Sequence, residues 1–297
     1  MRSRDLLARP RTELPSVRVG VPGLRHFGRY NYSRARAGLA PHAHRGAIEI
    51  CYLVRGHQTY HAGGRDYRLR GGDVFVTFPD ELHSTGGAPE EKGVLYWMLL
   101  RPEVVPASFL GLAGASARAL TAALRRLPSR HFRGTPGMQR LLDGILLVCH
   151  QRPSPLRATI IGNRVTTFLL QVVAAARARA GRPAVSPLAP VLRFIAAHLE
   201  EALDVPTLAR EAGLSVSRFK ARFKEDLGVP PREYVLRAKV EVARQRLRSR
   251  DRSVADVAYE LGFSSSQYFA TVFKRFTGMR PSADRRLVRA TSRAAPA

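Results

Sequence analysis

The chain is 297 residues long and 45% hydrophobic, with 49 lysines and arginines against 23 aspartates and glutamates, a net charge of +26. That length suits two domains of ordinary size, and the basic excess favours a polyanionic partner such as nucleic acid or an anionic membrane surface. Only two cysteines, Cys51 and Cys149, are present. Far apart and outside any CxxC spacing, they argue against a disulfide framework or a cysteine-based zinc site and fit a reduced, cytoplasmic compartment.

No apolar run approaches the roughly 20 residues of a membrane helix. The N-terminal segment Met1–Pro10 is basic but lacks the continuous apolar stretch of a secretory signal. Charge by itself does not place a partner. Of the basic residues 44 are arginine, and the net charge is spread as +17 before residue 188 and +9 from there on.

Residues 15–105 read as strands. Ile48–Val54 is apolar and β-branched. Gln58–His61 and Arg65–Leu69 flank Gly63-Gly64, a hairpin signal. Gly71-Gly72-Asp73 makes a turn before Val74–Phe78, and Val94–Leu100 is a further strand. Short strands with regular turns predict a small sandwich or barrel. Cys51 falls within the first of them and is expected to pack as a small apolar group.

The same stretch carries His42-Ala-His44, Glu49 and His83, in the pattern His-x-His-x4-Glu-x6-Gly56 followed by Gly72–His83. Three imidazoles and a carboxylate on neighbouring strands suit a divalent zinc, iron, nickel or manganese ion. Equally, the four side chains can line a small-molecule pocket without metal or pack at strand ends. His57 and His61, on the following hairpin, are expected at the surface or on a pocket rim. Residues 25–100 resemble a cupin. They depart from cupin enzymes in the closeness of Gly38 to His42 and in the lack of a glycine around Pro79–Leu82.

Beyond residue 105 the periodicity turns helical. Met138–Gln151 carries Leu141, Leu142, Ile145, Leu146 and Val148 at helical spacing, and Leu156–Ala180 carries Ile160, Ile161, Val165, Phe168, Leu169, Val172 and Val173. Two such wide stripes suit either packing within the chain or a dimer interface built on residues such as Leu146 and Phe168. Segment 106–180 is therefore assigned as a helical, dimerising segment. Gly181–Pro187, with two prolines and a glycine, reads as a linker, and everything from 188 to 290 as a helical module.

Within that module, residues 204–228 and 253–278 repeat one pattern: a short apolar-periodic segment, a glycine-containing turn, and a second amphipathic segment. This is the sequence form of a helix-turn-helix. Leu208, Ala209, Ala212, Leu214, Phe219 and Phe223 in the first copy match Val257, Ala258, Leu261, Phe263, Phe269 and Phe273 in the second. Gly213 and Gly262 sit where a sharp turn calls for positive φ. Ser215 and Ser264 are candidate N-caps of the second helices, Asp204 and the pair Ser253/Asp256 of the first ones. The copies align with an offset of 49 before the turn and 50 after it, so the second turn is one residue longer. Pro230–Arg250, between them, predicts a helix of about 18 residues, roughly 27 Å. Such a spacer suits two recognition helices about one DNA turn, some 34 Å, apart.

Residues 190–287 resemble the AraC/XylS family of transcription regulators. The resemblance rests on Leu208–Ser215, Phe223-Lys224, Arg244–Leu247, Val257–Phe263 and Tyr268–Pro281, and a cupin-like sensor half is usual in that family. It implies seven helices, the third and sixth entering the major groove. By position, Ser217, Lys220 and Ala221 in the first reader and Ser266, Gln267, Ala270 and Thr271 in the second are base-edge candidates. Lysine suits guanine, glutamine adenine, and threonine or alanine a thymine methyl. Ala221 departs from the longer polar side chain that members often carry. Arg218 and Arg222 flank the first reader, and Lys274 and Arg275 are phosphate candidates.

The resulting expectation is a multidomain chain: an N-terminal cupin-like β-barrel, a helical dimerising segment, and a C-terminal all-α double helix-turn-helix. Its function is expected to be sequence-specific regulation of transcription, with activation the commoner mode in the family, under control of a small-molecule effector. The expected partners are double-stranded promoter DNA, the effector, RNA polymerase and a second copy of the chain, with no membrane, in the cytoplasm and nucleoid of a bacterium. Two rivals remain open: a metal-dependent cupin enzyme or metal sensor fused to a DNA-binding half, and a general architectural protein binding any duplex.

Overall fold

The structure, a computed structural model, describes residues 3–102, 108–135, 137–179, 188–247 and 252–286. Contacts divide it into two units, Met1–Ser33 with Gly38–Pro183, and Arg34–Ala37 with Ala184–Ala297. The expected linker 181–187 lies outside the described residues.

The first unit runs α1 (Ser3–Ala8), β1 (Arg11–Pro15), α2 (Ser16–Val19), β2 (Leu24–Tyr32), β3 (Ile48–Ala62), β4 (Arg65–Arg70), β5 (Asp73–Thr77), β6 (His83–Ser84), β7 (Gly93–Leu100), β8 (Ser108–Phe109), β9 (Leu112–Ala113), α3 (Gly114–Arg125), β10 (His131–Arg133), α4 (Met138–Cys149) and α5 (Arg157–Arg179). Strands pair antiparallel in the order β1-β2-β7-β3-β5-β10, and the far half of β3 pairs with β4 and β6. Among the described residues no ladder joins β1 to β10.

Strand β3 continues through Gly56, whereas the sequence suggested two separate strands there. The glycine has φ +102°, and a side chain would meet the Lys92 carbonyl oxygen at 2.5 Å. The β3–β7 register shifts between Leu53 and Arg55. The residue that reads as a strand break is part of an irregularity that bends one long strand.

Alternation sets the two faces of this sheet. Ile48, Ile50 and Tyr52 of β3, Met98 and Leu100 of β7 and Phe27 of β2 join the core shared with the helices. Cys51, Leu53, Leu95, Tyr30 and Tyr60 face the opposite side. Burial raises the Cys51 thiol well above its usual range, as expected for a packed, unreactive cysteine.

Helices α4 and α5 cover the first face. Leu146, Ile161, Val165, Phe168, Leu169 and Val172 are all fully buried there, so both stripes are filled within the protomer and Leu146 and Phe168 form no surface. Helix α5 is long and apolar enough by length and composition to cross a membrane, but its apolar stripe lies in this core. Leu156, Ile160 and Leu170 remain exposed, Leu170 at 57%. Residues 108–133 also contain the β8–β9 hairpin, α3 and β10, so the assigned helical segment is mixed.

The second unit comprises α6 (Ala189–Ala197), α7 (Val205–Glu211), α8 (Val216–Leu227), α9 (Pro231–Arg246), α10 (Val254–Glu260) and α11 (Ser266–Thr277), and residues 281–286 open a further helix. Two cores form. Val191, Ile195, Leu208, Phe219, Phe223 and Val235 make the first; Val240, Ala243, Val257, Leu261, Phe269 and Phe273 make the second. Helix α9, with 16 residues and a length of about 24 Å, contributes to both.

Its Lys239 is buried, and its Nζ donates at 2.8 Å to the carbonyl oxygens of both Glu201 and Leu261, one beside each core. Desolvation lowers its pKa. At the end of α9, Arg246 pairs with Glu200 and, at 2.9 Å, with Glu260.

Candidate functional site

The two helix-turn-helix motifs are built from matching local signals. Gly213 and Gly262 both have positive φ, +63° and +66°. Asp204 accepts from the Thr207 amide at 2.8 Å, and Ser253 and Asp256 form a reciprocal capping box. Ser215 caps α8 through the Arg218 amide. The cap of α11 is Ser265, which accepts from the Tyr268 amide at 3.1 Å, rather than Ser264. The extra residue in the second turn shifts the cap by one, in agreement with the offset of 50 after the turn.

Applied along the helices, that offset pairs Ser217 with Gln267, Lys220 with Ala270, Ala221 with Thr271 and Lys224 with Lys274. Each set occurs at i, i+3, i+4 and i+7, one stripe of a helix. Ser217, Arg218, Lys220, Ala221, Arg222 and Lys224 are exposed on α8; Gln267, Thr271 and Lys274 are exposed on α11, with Ser266, Ala270 and Arg275 half-buried. Lys224 was not among the sequence candidates, although its equivalence to Lys274 was readable from the repeat. Several candidates are partly engaged: Arg222 pairs with Asp226 at 3.1 Å, the Thr271 hydroxyl donates to the Gln267 carbonyl, the Ser266 hydroxyl donates to Gln267 Oε1 at 3.3 Å, and the Arg275 guanidinium lies 4.8 Å over the Phe276 ring.

In the first unit, strands β2, β7 and β3 lie side by side and present one face to a cavity of about 230 Å³. Across it run His26 opposite Leu99, Gly28 opposite Trp97 and Tyr30 opposite Leu95, continued by Glu49 opposite Leu99 and Cys51 opposite Trp97. Gly28 makes room for the indole, because any Cβ at this position would overlap the Trp97 ring. Burial keeps Tyr30 and Tyr60 as neutral phenols. The Arg11 guanidinium sits 4.9 Å over Trp97 and donates to the Tyr32 hydroxyl at 2.9 Å. Sequence reading missed Arg11, Tyr30, Tyr60 and Trp97 as lining residues. The period-2 alternation marked their strands, but not which face encloses a cavity.

His42, His44 and Glu49 form one side of the same cavity. A backbone bridge between His42 and His83, with hydrogen bonds of 3.0 and 2.9 Å, brings the His42–His44 loop against β6. One ring nitrogen from each of His42, His44 and His83 lies within 4.8 Å of the others. The Glu49 Oε2 is 3.0 Å from His83 Nε2 and 3.8 Å from His44 Nε2. His42 Nδ1 lies 2.8 Å from the Ala40 carbonyl and His83 Nδ1 3.0 Å from the Glu81 carbonyl. A carbonyl only accepts, so both Nδ1 atoms carry a proton. Burial disfavours protonation of His83, but the Glu49 carboxylate and the Glu81 carbonyl outweigh it and raise its pKa. Burial lowers that of His44. The sequence-predicted His/Glu set is thus gathered in one place. His57 and His61 stand apart on the hairpin, half-buried, with His61 paired to Asp66 at 2.7 Å.

The comparisons with known proteins match both units. Residues 29–160 fit the family model described as an AraC-like ligand binding domain, and residues 208–287 that of a helix-turn-helix domain. The MmsAB operon regulatory protein of Pseudomonas aeruginosa is 30% identical over 231 residues, 76% of this chain and 69% of that protein. The chain belongs to the AraC family of transcriptional regulators. Another AraC-family relative, the arabinose operon regulatory protein of Escherichia coli K12, is 24% identical over 77% of each chain. A solved DNA-binding domain, that of the global transcriptional factor AdpA in complex with a target DNA, is 34% identical and covers 37% of this chain and 99% of that one, with a TM-score of 0.35. Like the AraC family at large, the chain combines an N-terminal ligand-binding domain with a C-terminal helix-turn-helix domain that binds DNA. Its relatives are regulators rather than enzymes.

Proposed function

We propose that this regulator reads two successive major grooves with α8 and α11 and that a small molecule held in the cavity of the first unit controls it. The observation that carries the reading is the register of the two exposed stripes: four positions on α8 recur fifty residues later on α11 in the same helical phase. A duplicated surface left exposed at seven of its eight positions suits a contact surface, and its residues suit DNA. Lys220 offers donors to guanine O6 or N7. Gln267 matches adenine, and Thr271 with Ala270 meets a thymine methyl. Ser217 and Ser266 add short hydroxyl contacts, while Ala221 supplies no hydrogen bond. Lys224, Lys274 and Arg275, one to two turns further along, reach phosphates, and Arg218 and Arg222 flank the first stripe.

The cavity's size and its aromatic and carboxylate lining support a small effector. The effector acts by binding one arrangement of the regulator more tightly than another. A homodimer joined through the outer face of α5, along the exposed Ile160 and Leu170 with Leu156 just before the helix, and activation by contact with RNA polymerase in the bacterial cytoplasm complete the reading. Selection of bound genomic fragments by the purified full-length chain tests it. An enriched motif with two unequal halves is expected. Uniform recovery of all fragments, with affinity set by salt alone, would instead identify a general duplex binder.

A further inference from the structure

We propose that the cavity of the first unit takes a small organic cation, a protonated amine with a compact apolar body, as its effector. The proposal rests on the reading of this unit as the effector-binding half and names the chemical class of that effector.

The charge of the wall is the first observation. The chain carries +26 overall, yet the described residues lining the cavity include three carboxylates, Glu13, Glu49 and Glu90, and one guanidinium, Arg11. Glu49 and Glu90 are buried. A carboxylate withdrawn from water is costly unless positive charge offsets it. Arg11 is already shared: it pairs with Glu13 at 2.5 Å, lies 3.8 Å from Glu90 and donates to the Tyr32 hydroxyl. Glu49, 3.0 Å from His83, favours a proton on that imidazole. Even with this proton in place, the carboxylates outnumber Arg11 and His83 together, and burial disfavours a charge on His44. An acidic effector would meet a guanidinium that two carboxylates already hold, and would stand beside Glu49. A cation meets the opposite field.

The second observation is the aromatic lining. Trp97 lies flat over Gly28, and Tyr30 and Tyr60, kept as neutral phenols by burial, line the same cavity. The negative face of such rings attracts cations. The protein's own Arg11 illustrates this: its guanidinium sits 4.9 Å from the centre of the Trp97 ring, with carboxylates at its nitrogens. An amine bound beside it would use the same two elements, a ring face and a carboxylate accepting its N–H donors. Leu39, Leu95 and Leu99 complete the lining and suit an apolar body, and a volume of about 230 Å³ keeps the molecule small.

Trp97 is the only tryptophan in the chain, so its emission reports on this cavity. The full-length protein is titrated at about pH 8, above the ordinary histidine range, with two matched sets of probes. One is butylamine, 1-butanol and butanoate; the other is 2-phenylethylamine, 2-phenylethanol and phenylacetate. In at least one set the amine should bind about 10-fold more tightly than both the alcohol and the carboxylate. Glu49→Gln should weaken amine binding about 10-fold and leave that of the alcohol within about twofold. Arg11→Met should tighten amine binding about 10-fold, because it frees the indole face and uncovers Glu13 and Glu90; loss of a merely structural residue would weaken all three probes. If Arg11→Met fails to fold, Glu90→Gln replaces it, with the result expected of Glu49→Gln. Tighter binding of the carboxylate in both sets, no amine binding below about 10 mM, or equal losses of amine and alcohol in Glu49→Gln overturns the proposal. Recovery of an enriched DNA motif by the same chain is scored separately, so a failed cation assignment and a failed regulator reading give different results.

Discussion

Gly213→Ala and Gly262→Ala make a matched pair, because both glycines turn equivalent motifs with nearly equal φ of +63° and +66°. Any alanine there takes on left-handed strain of about 1–2 kcal/mol. At Gly213 that is the whole cost, since nothing lies within 4 Å of the added Cβ. At Gly262 the Cβ would stand 2.8 Å from the Glu200 carbonyl oxygen and 3.3 Å from Lys239 Nζ. The backbone beside Glu200 must therefore move, and the next carbonyl, that of Glu201, is one of the two held by Lys239. Overpacking of this kind adds about 1–3 kcal/mol.

Gly262→Ala is thus expected to destabilise the second unit by about 2–5 kcal/mol in total. For a domain near 100 residues each kcal/mol lowers the melting temperature by about 4–8 °C. Calorimetry of the full chain, with hydrogen exchange of the α10 and α11 amides to assign the loss, reads the difference. Equal effects of the two substitutions, or a larger one at Gly213, would refute the argument from local space.

Four further outcomes are expected. Lys274→Ala should weaken binding evenly across DNA sequences and reduce the slope of log affinity against log salt by about one, whereas Lys220→Ala should lose about 1–3 kcal/mol of discrimination at one base pair, both read in salt-series competition assays. Phe168→Ala should cost about 3–5 kcal/mol of stability by urea unfolding, while Leu170→Glu should leave the fold intact and shift sedimentation to the monomer mass; an unchanged dimer mass would remove the outer face of α5 as the interface. Ser265→Ala should cost about 1 kcal/mol and Ser264→Ala almost nothing in the same denaturation assay, since only the former caps α11. The Asp204 and Asp256 carboxyls are held below their usual value by hydrogen bonds with Thr207 and Ser253. Their contribution is therefore complete above about pH 4 and lost as pH falls through the depressed value. Amide exchange at the starts of α7 and α10 should speed up there, and Asp256→Asn should abolish the pH dependence at α10.

The second unit was legible because its signals are local. Glycines, capping residues and 3.6-residue periodicity act within a few positions, and the repeat supplied each of them twice. The slip in the caps, Ser264 for Ser265, arose where the copies differ in length. The hairpin at Gly63-Gly64 was readable for the same reason. Strand β2, Leu24–Tyr32, is harder, because its buried face includes Gly28 and two tyrosines rather than an aliphatic alternation. Strand β10 joins β5 across more than fifty residues, and no short-range pattern announces such a partner. The α4 and α5 stripes showed that something covers them but not what, since periodicity is blind to the identity of the covering surface. The His/Glu cluster was visible as residue types in order. Its convergence depends on the His42–His83 bridge, and the rest of the cavity wall on which strands lie next to one another.

Lys239 carries a consequence for the DNA rather than for the protein. A buried ammonium shared by carbonyls on either side of α9, with Arg246 pairing to both sides nearby, resists any sliding of one reading head against the other. If α8 and α11 read successive grooves as proposed, a promoter whose two half-sites are a base pair too near or too far will therefore be accommodated by twisting or bending of the duplex. That deformation costs about 1–6 kcal/mol, depending on how soft the intervening steps are. On that reading, sequence between the half-sites becomes part of the recognition code, with flexible pyrimidine–purine steps favoured where the spacing is imperfect.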